Sequence, residues 1–400
     1  MTSEKTKRPL EGIRVLEIGQ LLAGPFTGTI LGYFGAEIIK VEPPEKGDPI
    51  RGWREVFEGT SYWWASLARN KKCITLDLSK DEGIEIFKKL ANQCDVLVEN
   101  FKPGTMEKWG IDPLSMEKTN EKLIYARISG YGQTGPYAKK AGFASVCEAF
   151  GGFRFVNGSP GQKPVRPNLS IGDTLAGMHA AMGVLLALIQ REKDGKGQVV
   201  DVAIFEAVFN LLEAVIPEYS GSGVIRQPSG STITGIAPTN TYICKDGRYI
   251  VIGANTDSMF KRLAKAMGKP EIEDDPRMSD NAGRVAVQQE LDDIIETWTK
   301  SLSAQEALAK LDEHSVAAGP IYDASDMMED PQFKARNLFQ NVSINGKEIQ
   351  IPAIIPHLSR SPGKTEFAGS KLGCHNEEIY QSILGMEEKA LQQLAKKGVI

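Results

Sequence analysis

The sequence predicts an α/β protein with a large domain built on parallel strands and a smaller α+β domain. Two strand–helix–strand patterns, at 13–44 and 73–99, predict parallel strands joined by right-handed crossovers. A segment rich in glycine, serine and proline, at 220–238, precedes a hairpin pattern and several helices. With 400 residues and 41% hydrophobic content, the chain is long enough to form both domains.

The first strand–helix–strand pattern begins with the apolar run at 13–19 and ends with a second strand within 35–44. The second strand finishes at Glu42, close to where a dinucleotide-binding fold carries its ribose-binding acid. However, the glycines at 19–28 do not form the GxGxxG fingerprint, so a nicotinamide or flavin site is only weakly supported. The pattern predicts that a different ligand binds here.

Further strands are predicted at 73–78, 95–99 and 123–129, with an amphipathic helix at 81–93. Ligands of open parallel sheets bind beyond the carboxyl ends of the strands. The loop after the strand at 95–99 is therefore expected to meet a ligand through Asn100, Phe101, Lys108 and Trp109.

Residues 168–191 predict a long buried helix with a single acid, Asp173, at its start. Large apolar residues recur at helical spacing, while small residues leave room for another backbone to approach. The large residues are Leu175, Met178, Met182, Leu185, Leu186 and Ile189, and the small ones are Ala176, Gly177, Ala180, Ala181 and Gly183. Asp173 follows Ser170 and Gly172, where free backbone N–H groups favour a negative charge. Two interpretations remain open: a helix cap or a nucleophile.

The second half of the chain predicts a mobile loop, a small domain and a return to the large one. The loop at 220–238 is a candidate lid, and a hairpin follows that turns at Asp246 and Gly247. Helices are expected near 257–267, 286–300 and 303–313, a strand pair near 340–352 and a final helix at 386–397. The predicted domains are 1–210 completed by 336–400, a linker at 211–224, a small domain at 225–325 and a returning linker at 326–335.

Composition excludes several classes of function. A net charge of −4 gives no basic surface for nucleic acid or anionic lipid. The five cysteines, Cys73, Cys94, Cys147, Cys244 and Cys374, have no CxxC spacing, so neither a metal site nor a disulfide framework is expected. The N-terminus is polar, and no apolar run is expected to span a membrane. We therefore expect a cytoplasmic protein, with an organellar matrix as the alternative.

The motifs and their order resemble the class III CoA-transferases (CaiB/BaiF type), which include formyl-CoA, carnitine-CoA and succinyl-CoA:dicarboxylate transferases. The resemblance covers nearly the whole length. It is carried by PLEGIRVLEIGQLLAGPF, LGYFGAEIIKVEPPEKGDPIR, NKKCITLDL, DVLVENFKPG, SGYGQTGP, Gly172-Asp173, TGIAP, KDGRYIVIGA, GPI and EDPQ. It implies an interlocked homodimer whose subunits have a Rossmann-like large domain and a small domain.

The resemblance also implies roles for individual residues. Asp173 falls on the catalytic position, and the loop at 229–236 would supply oxyanion donors through Gly230 and Gly235. The implied CoA contacts are Leu22, Leu76, Ser79, Asn100, Phe101, Lys108, Trp109, Ser129 and Tyr131. Candidates for binding a substrate carboxylate are Arg51, Arg54, Arg166 and Arg226. A CoA thioester is then a substrate, and neither a metal nor a permanently bound cofactor is needed.

The pattern looks closest to transferases that use succinyl-CoA and a dicarboxylate such as glutarate, malate, citramalate or itaconate. Pro43 and Ser129 replace an arginine and a lysine of the formyl-CoA enzyme, which weighs against formyl or oxalyl substrates. The α-methylacyl-CoA racemases share the fold but use a histidine base where this chain has Phe143. A non-catalytic CoA-binding protein and a dinucleotide-dependent oxidoreductase are the remaining alternatives.

Overall fold

The computed structural model describes residues 7–400; residues 1–6, which begin the polar N-terminal segment, lie outside the described part. The chain forms two compact units. The large unit comprises the chain up to Phe153, Pro167–Glu213 and Gln332–Ile400, and the small unit comprises Arg154–Arg166 and Ala214–Pro331. The segment Arg154–Arg166 groups with the small unit, where the Gly230 N–H donates to the Gly158 carbonyl at 2.8 Å.

Within residues 7–400, the strands form one large sheet and three small ones. They are β1 (Arg14–Glu17), β2 (Glu37–Glu42), β3 (Val56–Phe57), β4 (Thr60–Ser61), β5 (Lys71–Thr75), β6 (Val96–Glu99), β7 (Ile124–Ser129), β8 (Val199–Ala203), β9 (Thr239–Ile243), β10 (Tyr249–Gly253), β11 (Ala318–Pro320), β12 (Phe339–Ile344) and β13 (Lys347–Pro352).

The large sheet has six parallel strands in the order β5-β2-β1-β6-β7-β8. Numbered along the chain, these strands are arranged 3-2-1-4-5-6, the order of a Rossmann sheet. The strand order reverses between β1 and β6, where Val15 pairs with Val96 and Leu16 with Leu97. The predicted α/β class with a Rossmann-like large unit is therefore confirmed.

The helices surround the large sheet and build most of the small unit. They are α1 (Ala23–Tyr33), α2 (Tyr62–Leu67), α3 (Asp81–Ala91), α4 (Thr105–Lys108), α5 (Pro113–Glu117), α6 (Ala144–Phe150), α7 (Phe153–Val156), α8 (Ile171–Asp194), α9 (Ile204–Phe209), α10 (Val215–Ser222), α11 (Asp257–Met267), α12 (Pro270–Glu273), α13 (Asn281–Ala286), α14 (Gln288–Thr299), α15 (Ala304–Glu313), α16 (Ala324–Glu329), α17 (Pro331–Ala335), α18 (Asn376–Leu384) and α19 (Glu388–Lys396).

Two predicted helices differ from the structure in their extent. The helix expected at 286–300 is divided, because the backbone of Val287 leaves the helical region (φ −116°, ψ 26°) between α13 and α14. At the C-terminus, the helix predicted at 386–397 is α19, and a further helix, α18, comes before it. Gly385, in the left-handed conformation, ends α18.

Helix α8 packs against α1 and the large sheet through its small residues. A Cβ atom on Gly177 would lie 2.8 Å from the Ala23 carbonyl oxygen of α1, and Thr27 Oγ1 donates to the Gly177 carbonyl at 3.2 Å. The predicted close approach of another backbone is therefore present.

The sequence predicted that the large apolar residues of α8 are buried, and for most of them this prediction is wrong. Met182 is 53% exposed and Leu186 60%, and they belong to a half-exposed apolar surface. This surface, which we call the α8 stripe, consists of Met178, Met182, Leu185, Leu186 and Ile189. The small residues occupy the buried face because α1 and the sheet come too close for large side chains.

The expectation that no apolar run could span a membrane also needs correction. By length and composition alone, the 24-residue helix α8 could span a membrane. Within residues 7–400, no other helix meets these two criteria. In the structure, however, α8 contacts α1, α6, α9, β7 and β8, as a covering helix of the large sheet does.

The small unit has its own sheet and core. Strands β9, β10 and β11 form an antiparallel sheet, and the predicted hairpin turns at Gly247 with φ 77°. Arg284 is fully buried and donates to the carbonyls of Ala237, Met278 and Asn255. These bonds join three segments of the unit around one side chain.

Candidate active site

A cleft of about 300 Å³ lies in the large unit where the strand order reverses. Its walls come from the segments that follow β1, β6, β7 and β8, together with the start of α8. The lining residues are Gln20, Leu21, Leu22, Ala23, Asn100, Phe101, Lys102, Pro103, Ile128, Ser129, Gly130, Lys140, Ala141, Gly142, Phe143, Asp173 and Ile204. This crevice beyond the carboxyl ends of parallel strands is where such sheets bind ligands.

Asp173 lines the cleft from the first turn of α8. Ser170 is the N-cap residue but makes no side-chain cap, so Asp173 is the third helical residue. The preceding Gly172 N–H donates to Oε1 of the buried Glu148 at 3.2 Å. A carboxylate in this first turn is stabilised by the positive end of the helix dipole.

Gly172 has no room for a side chain, which explains why a glycine precedes Asp173. A Cβ atom there would lie 3.1 Å from the Ile204 side chain and 3.2 Å from that of Glu148. The tight contact fixes the backbone next to Asp173 against α6 and α9.

The Cys147 thiol adjoins the cleft but is not a competing nucleophile. It donates to the carbonyl of Gly130, a lining residue, at 3.2 Å. Burial, with the nearby charges of Asp173 and Glu148, raises the pKa of Cys147 to about 11, so the thiol stays protonated.

Asn100 joins the two loops that meet at the strand-order reversal. Its Nδ2 donates to the Gln20 carbonyl and its Oδ1 accepts from the Gln20 N–H, both at 2.8 Å. Gly19 and Gly24 crowd the same amide, since a Cβ on Gly19 would lie 2.7 Å from Oδ1. Asn100 therefore shapes the cleft wall through contacts with the backbone.

Three further predicted CoA contacts, Leu22, Phe101 and Ser129, line the cleft. Ser129 Oγ is buried without a hydrogen-bond partner in the described part of the chain, so it retains a donor and an acceptor. Trp109 lies outside the cleft and packs edge-on against Phe101, with ring centroids 5.2 Å apart.

Four more predicted CoA contacts, like Trp109, lie away from the cleft. Leu76 is buried in the core, and Tyr131 packs in an aromatic cluster with Phe150 and Phe205. Ser79 is exposed and donates to Asp77 at 2.6 Å, and Lys108 is exposed on α4. Their role in binding CoA stays a prediction.

Four other predicted residues, Gly230, Gly235, Arg166 and Arg226, belong to the small unit. Gly230 and Gly235 have positive φ angles of 70° and 81°, which suit glycine. Arg226 forms an ion pair with Glu218 at 2.5 Å. Their roles as oxyanion donors or carboxylate ligands likewise remain predictions.

Arg51 forms an ion pair with Glu42, the acid at the end of β2. Its Nε and Nη2 donate to the two oxygens of that buried carboxylate, each at 2.7 Å. The guanidinium also stacks on Trp64 at 3.8 Å. Glu42 is therefore not available as the ribose ligand of a dinucleotide.

The loop after β1 provides a second argument against a dinucleotide site. The Leu21 N–H donates to the buried carboxylate of Asp48 at 3.1 Å. This N–H group is therefore not free to bind a pyrophosphate oxygen.

Sequence reasoning missed three charged residues. Lys102 and Lys140 line the cleft and are exposed, so they can meet an anionic ligand. Lys102 stands in the NFKPG motif directly after β6, a position that could have identified it. Arg69 was also missed; it is buried beside α2 and lines a second cavity.

The position of Phe143 bears on the racemase alternative. Phe143 is 71% exposed and lines the cleft, where a racemase would need a base. Within residues 7–400, no group of three or more His, Cys, Asp or Glu side chains is placed to hold a metal ion.

A Rossmann sheet with a carboxylate at the start of a covering helix places the chain in a known class. The chain belongs to CoA-transferase family III, whose family model matches residues 10–376, and it is an enzyme of that class. The resemblance predicted from the motifs is confirmed. Enzymes of this family use CoA thioesters as substrates.

Individual relatives match over nearly the full length of the chain. The succinyl-CoA–D-citramalate CoA-transferase of Chloroflexus aurantiacus is 48% identical, covering 100% of both chains. The α subunit of a succinyl-CoA–L-malate CoA-transferase from Chloroflexus aurantiacus is 39% identical and covers 98% of this chain and 92% of its own. A CaiB/BaiF family protein of Brucella suis, of known structure, superposes with a TM-score of 0.84 at 34% identity, covering 94% of this chain and 100% of its own.

Proposed function

We propose that this enzyme transfers CoA from succinyl-CoA to a four- or five-carbon dicarboxylate, with Asp173 as the nucleophile. The similarity to succinyl-CoA transferases for D-citramalate and L-malate supports the donor and the acceptor class. One observation carries the assignment of Asp173: its side chain shares a cleft with Leu22, Asn100, Phe101 and Ser129.

In the first half of the reaction, a carboxylate oxygen of Asp173 attacks the thioester carbonyl of succinyl-CoA. The C–S bond breaks, CoA leaves as a thiolate, and a succinyl–aspartyl anhydride remains. The thiolate then attacks the aspartyl carbonyl carbon and releases succinate, leaving an aspartyl-CoA thioester.

In the second half, the acceptor carboxylate attacks the aspartyl thioester and displaces the CoA thiolate, forming a new anhydride. The thiolate attacks the acceptor's acyl carbon, which releases the Asp173 carboxylate and the new acyl-CoA. Each step exchanges one nucleophile for one leaving group, so no proton carrier is required.

The residues around Asp173 suit this role. The positive end of the α8 dipole stabilises the Asp173 carboxylate. Lys102 and Lys140 give the cleft a positive charge that suits a phosphorylated substrate.

The test compares wild type with Asp173→Ala, using succinyl-CoA and a panel of isotopically labelled succinate, L-malate, D-citramalate, glutarate and itaconate. Wild type is expected to form new acyl-CoA species by mass and to carry covalent CoA when no acceptor is present. Asp173→Ala is expected to lose both by at least about 10³-fold, because the nucleophile is missing.

Asp194→Ala is a matched control, because Asp194 is an exposed acid in the last turn of the same helix. It is expected to retain wild-type rates. If a folded wild type forms no new acyl-CoA across the panel, the proposed function is wrong; if Asp173→Ala keeps its activity, the assignment of the nucleophile is wrong.

We also propose that a second copy of the chain covers the α8 stripe in a homodimer. Met182 and Leu186 are more than half exposed, and their neighbours on the helix are apolar. Contiguous apolar surface of this kind is typical of an interface. The family resemblance, which implies a homodimer, favours this partner.

A further inference from the structure

A second cavity of about 430 Å³ lies beside the first turn of α8, in the large unit. Ser170, Ile171 and Thr174, which flank Asp173 in sequence, line it. Leu22 lines both this cavity and the cleft that holds Asp173. The two cavities therefore share a wall at Leu22, next to the turn that carries Asp173.

The walls of the second cavity are mostly apolar. They include Phe26, Leu67, Leu175 and Ile354, which suit the methylene chain of a short acyl group. Against this background the cavity has two cationic side chains, Arg54 and Arg69. Neither forms an ion pair with a carboxylate in the described part of the chain.

Arg69 is 1% exposed, and the partners of its guanidinium are all uncharged. Nε donates to the Ser66 carbonyl and Nη2 to Ser66 Oγ, both at 2.7 Å. Nη1 donates to the Pro352 carbonyl at 2.6 Å and to Thr365 Oγ1 at 3.3 Å. These bonds use four of the five N–H groups and leave one on Nη2.

A buried guanidinium without a carboxylate is unusual, because removing its charge from water is costly unless an anion compensates it. Burial lowers the pKa of Arg69 to about 10, which reflects that uncompensated charge. The positive charge nevertheless persists at neutral pH. A substrate anion entering the cavity would supply the missing partner.

Arg54 is the second cationic group of the cavity. Its guanidinium stacks on Trp63 at 4.1 Å from the ring centroid, which orients it without neutralising its charge. Arg51 and Arg226, by contrast, already have carboxylate partners in Glu42 and Glu218. Of these four arginines, only the two that line the second cavity have no carboxylate partner among residues 7–400, so their charges can pair with an anionic ligand.

We propose that Arg69, assisted by Arg54, binds the distal carboxylate of the substrate and selects dicarboxylates over monocarboxylates. The inference rests on the proposed function, because it assumes that the reacting carboxyl is transferred at Asp173. The succinyl group of the donor and the acceptor acid occupy this subsite in turn. Neither arginine takes part in the chemical steps.

The test compares succinate with butyrate, which has the same four carbons but lacks the second carboxylate. Isotopically labelled acids are used as acceptors with succinyl-CoA as donor, and kcat/KM is measured for each acid. In a double-displacement reaction, kcat/KM for the acceptor depends only on the second half of the reaction. An effect of the variants on the donor half therefore does not distort the comparison.

Arg69→Met is expected to lower kcat/KM for succinate by at least about tenfold, mainly through KM, because a charge-assisted hydrogen bond is lost. The value for butyrate should change by less than about threefold. Arg54→Met is expected to act in the same direction with a smaller effect. Arg69→Lys, which keeps the charge but not the fork of donors, should fall between wild type and Arg69→Met.

Thr365→Val separates a structural role of Arg69 from a role in recognition. It removes one anchor of the guanidinium and leaves the charge in place. A loss of thermal stability with an unchanged succinate-to-butyrate ratio is expected for this control. If Arg69→Met does not fold, Arg69→Lys and Arg54→Met test the carboxylate subsite instead. For them too, the ratio of kcat/KM for succinate to that for butyrate should fall below the wild-type ratio.

The outcomes distinguish the two proposals. If wild type transfers CoA to neither acid nor to any dicarboxylate, the proposed function fails. If wild type is active but Arg69→Met and Arg54→Met keep its succinate-to-butyrate ratio, the carboxylate subsite is wrong and the transferase assignment stands. A parallel loss with both acids would also overturn the subsite.

Discussion

Asn100 and Gln20 form a reciprocal pair of 2.8 Å hydrogen bonds that closes the gap between the two loops at the reversal of the strand order. The two loops follow β1 and β6, which are neighbours in the sheet but far apart in the sequence. The pair therefore fixes the wall of the cleft that Asp173 faces.

Asn100→Ala is expected to lower the free energy of unfolding by about 1–3 kcal/mol, because two backbone groups of Gln20 lose their partners. It should also raise KM for acyl-CoA, because the loop after β1 that forms part of the cleft wall is no longer held by hydrogen bonds. Chemical denaturation and steady-state kinetics measure the two effects.

Asn120→Ala is the matched control, because Asn120 makes the same kind of backbone bonds to Ala91 and Cys94, just before β7 begins. It should destabilise the protein without changing KM. Equal KM effects of the two substitutions would contradict the role given to Asn100.

Gly177→Ala is expected to destabilise the protein by about 1–3 kcal/mol, since the new methyl group would meet the Ala23 carbonyl at 2.8 Å. Gly221 provides a control of opposite sign, because it lies within α10 at a position where an added methyl group would meet no atom within 4 Å. Gly221→Ala should be neutral or stabilising by up to about 1 kcal/mol. Thermal unfolding of both variants measures these effects. If Gly177→Ala stabilises the protein, the tight contact between α1 and α8 is disproved.

Glu42→Gln and Arg51→Met are each expected to cost about 3–5 kcal/mol of stability, because each leaves one half of a mostly buried ion pair without its partner. Any folded Arg51→Met should keep the wild-type KM for dicarboxylates. A raised KM with unchanged stability would instead make Arg51 a candidate carboxylate ligand again.

His375 is expected to make the protein less stable as the pH falls from 7 to 5. Burial lowers its pKa below the usual 6.5, and its Nδ1 accepts the Cys73 N–H at 3.0 Å. The neutral ring is therefore favoured in the folded state, so its contribution is present above pH 6.5 and is lost as the pH falls through the lowered pKa. Melting temperatures across this range measure the effect.

His375→Asn serves as the comparison, because an amide oxygen can accept the same N–H but does not titrate in this range. Its melting temperature should depend less on pH between 5 and 7 than that of wild type. Identical pH profiles for the two proteins would rule out His375 as the source.

Leu186→Glu is expected to convert the proposed homodimer into a monomer, because it introduces a charge into the middle of the α8 stripe. Sedimentation velocity measures the mass. Leu114→Glu is a control at another exposed leucine, on α5, which lies outside the stripe. A wild-type monomer, or a Leu186→Glu dimer, would contradict the proposed interface.

The sequence by itself determined the α/β class, the family and the position of Asp173 at the start of a helix. These follow from local patterns: apolar runs that form buried strands, glycine in turns, and motifs whose order is read directly along the chain. The strands predicted at 95–99 and 123–129 are β6 and β7 of the structure.

Only the tertiary structure decided which arginines have carboxylate partners and which face of α8 is buried. Arg51 and Arg69 look alike in the sequence, but Arg51 meets the Glu42 carboxylate and Arg69 meets only neutral groups. Two of those neutral groups lie 283 and 296 residues away in the sequence. The large side chains of α8 are exposed because α1 packs closely against its glycine and alanine residues. Pairing and burial depend on segments distant in sequence, so no local pattern encodes them.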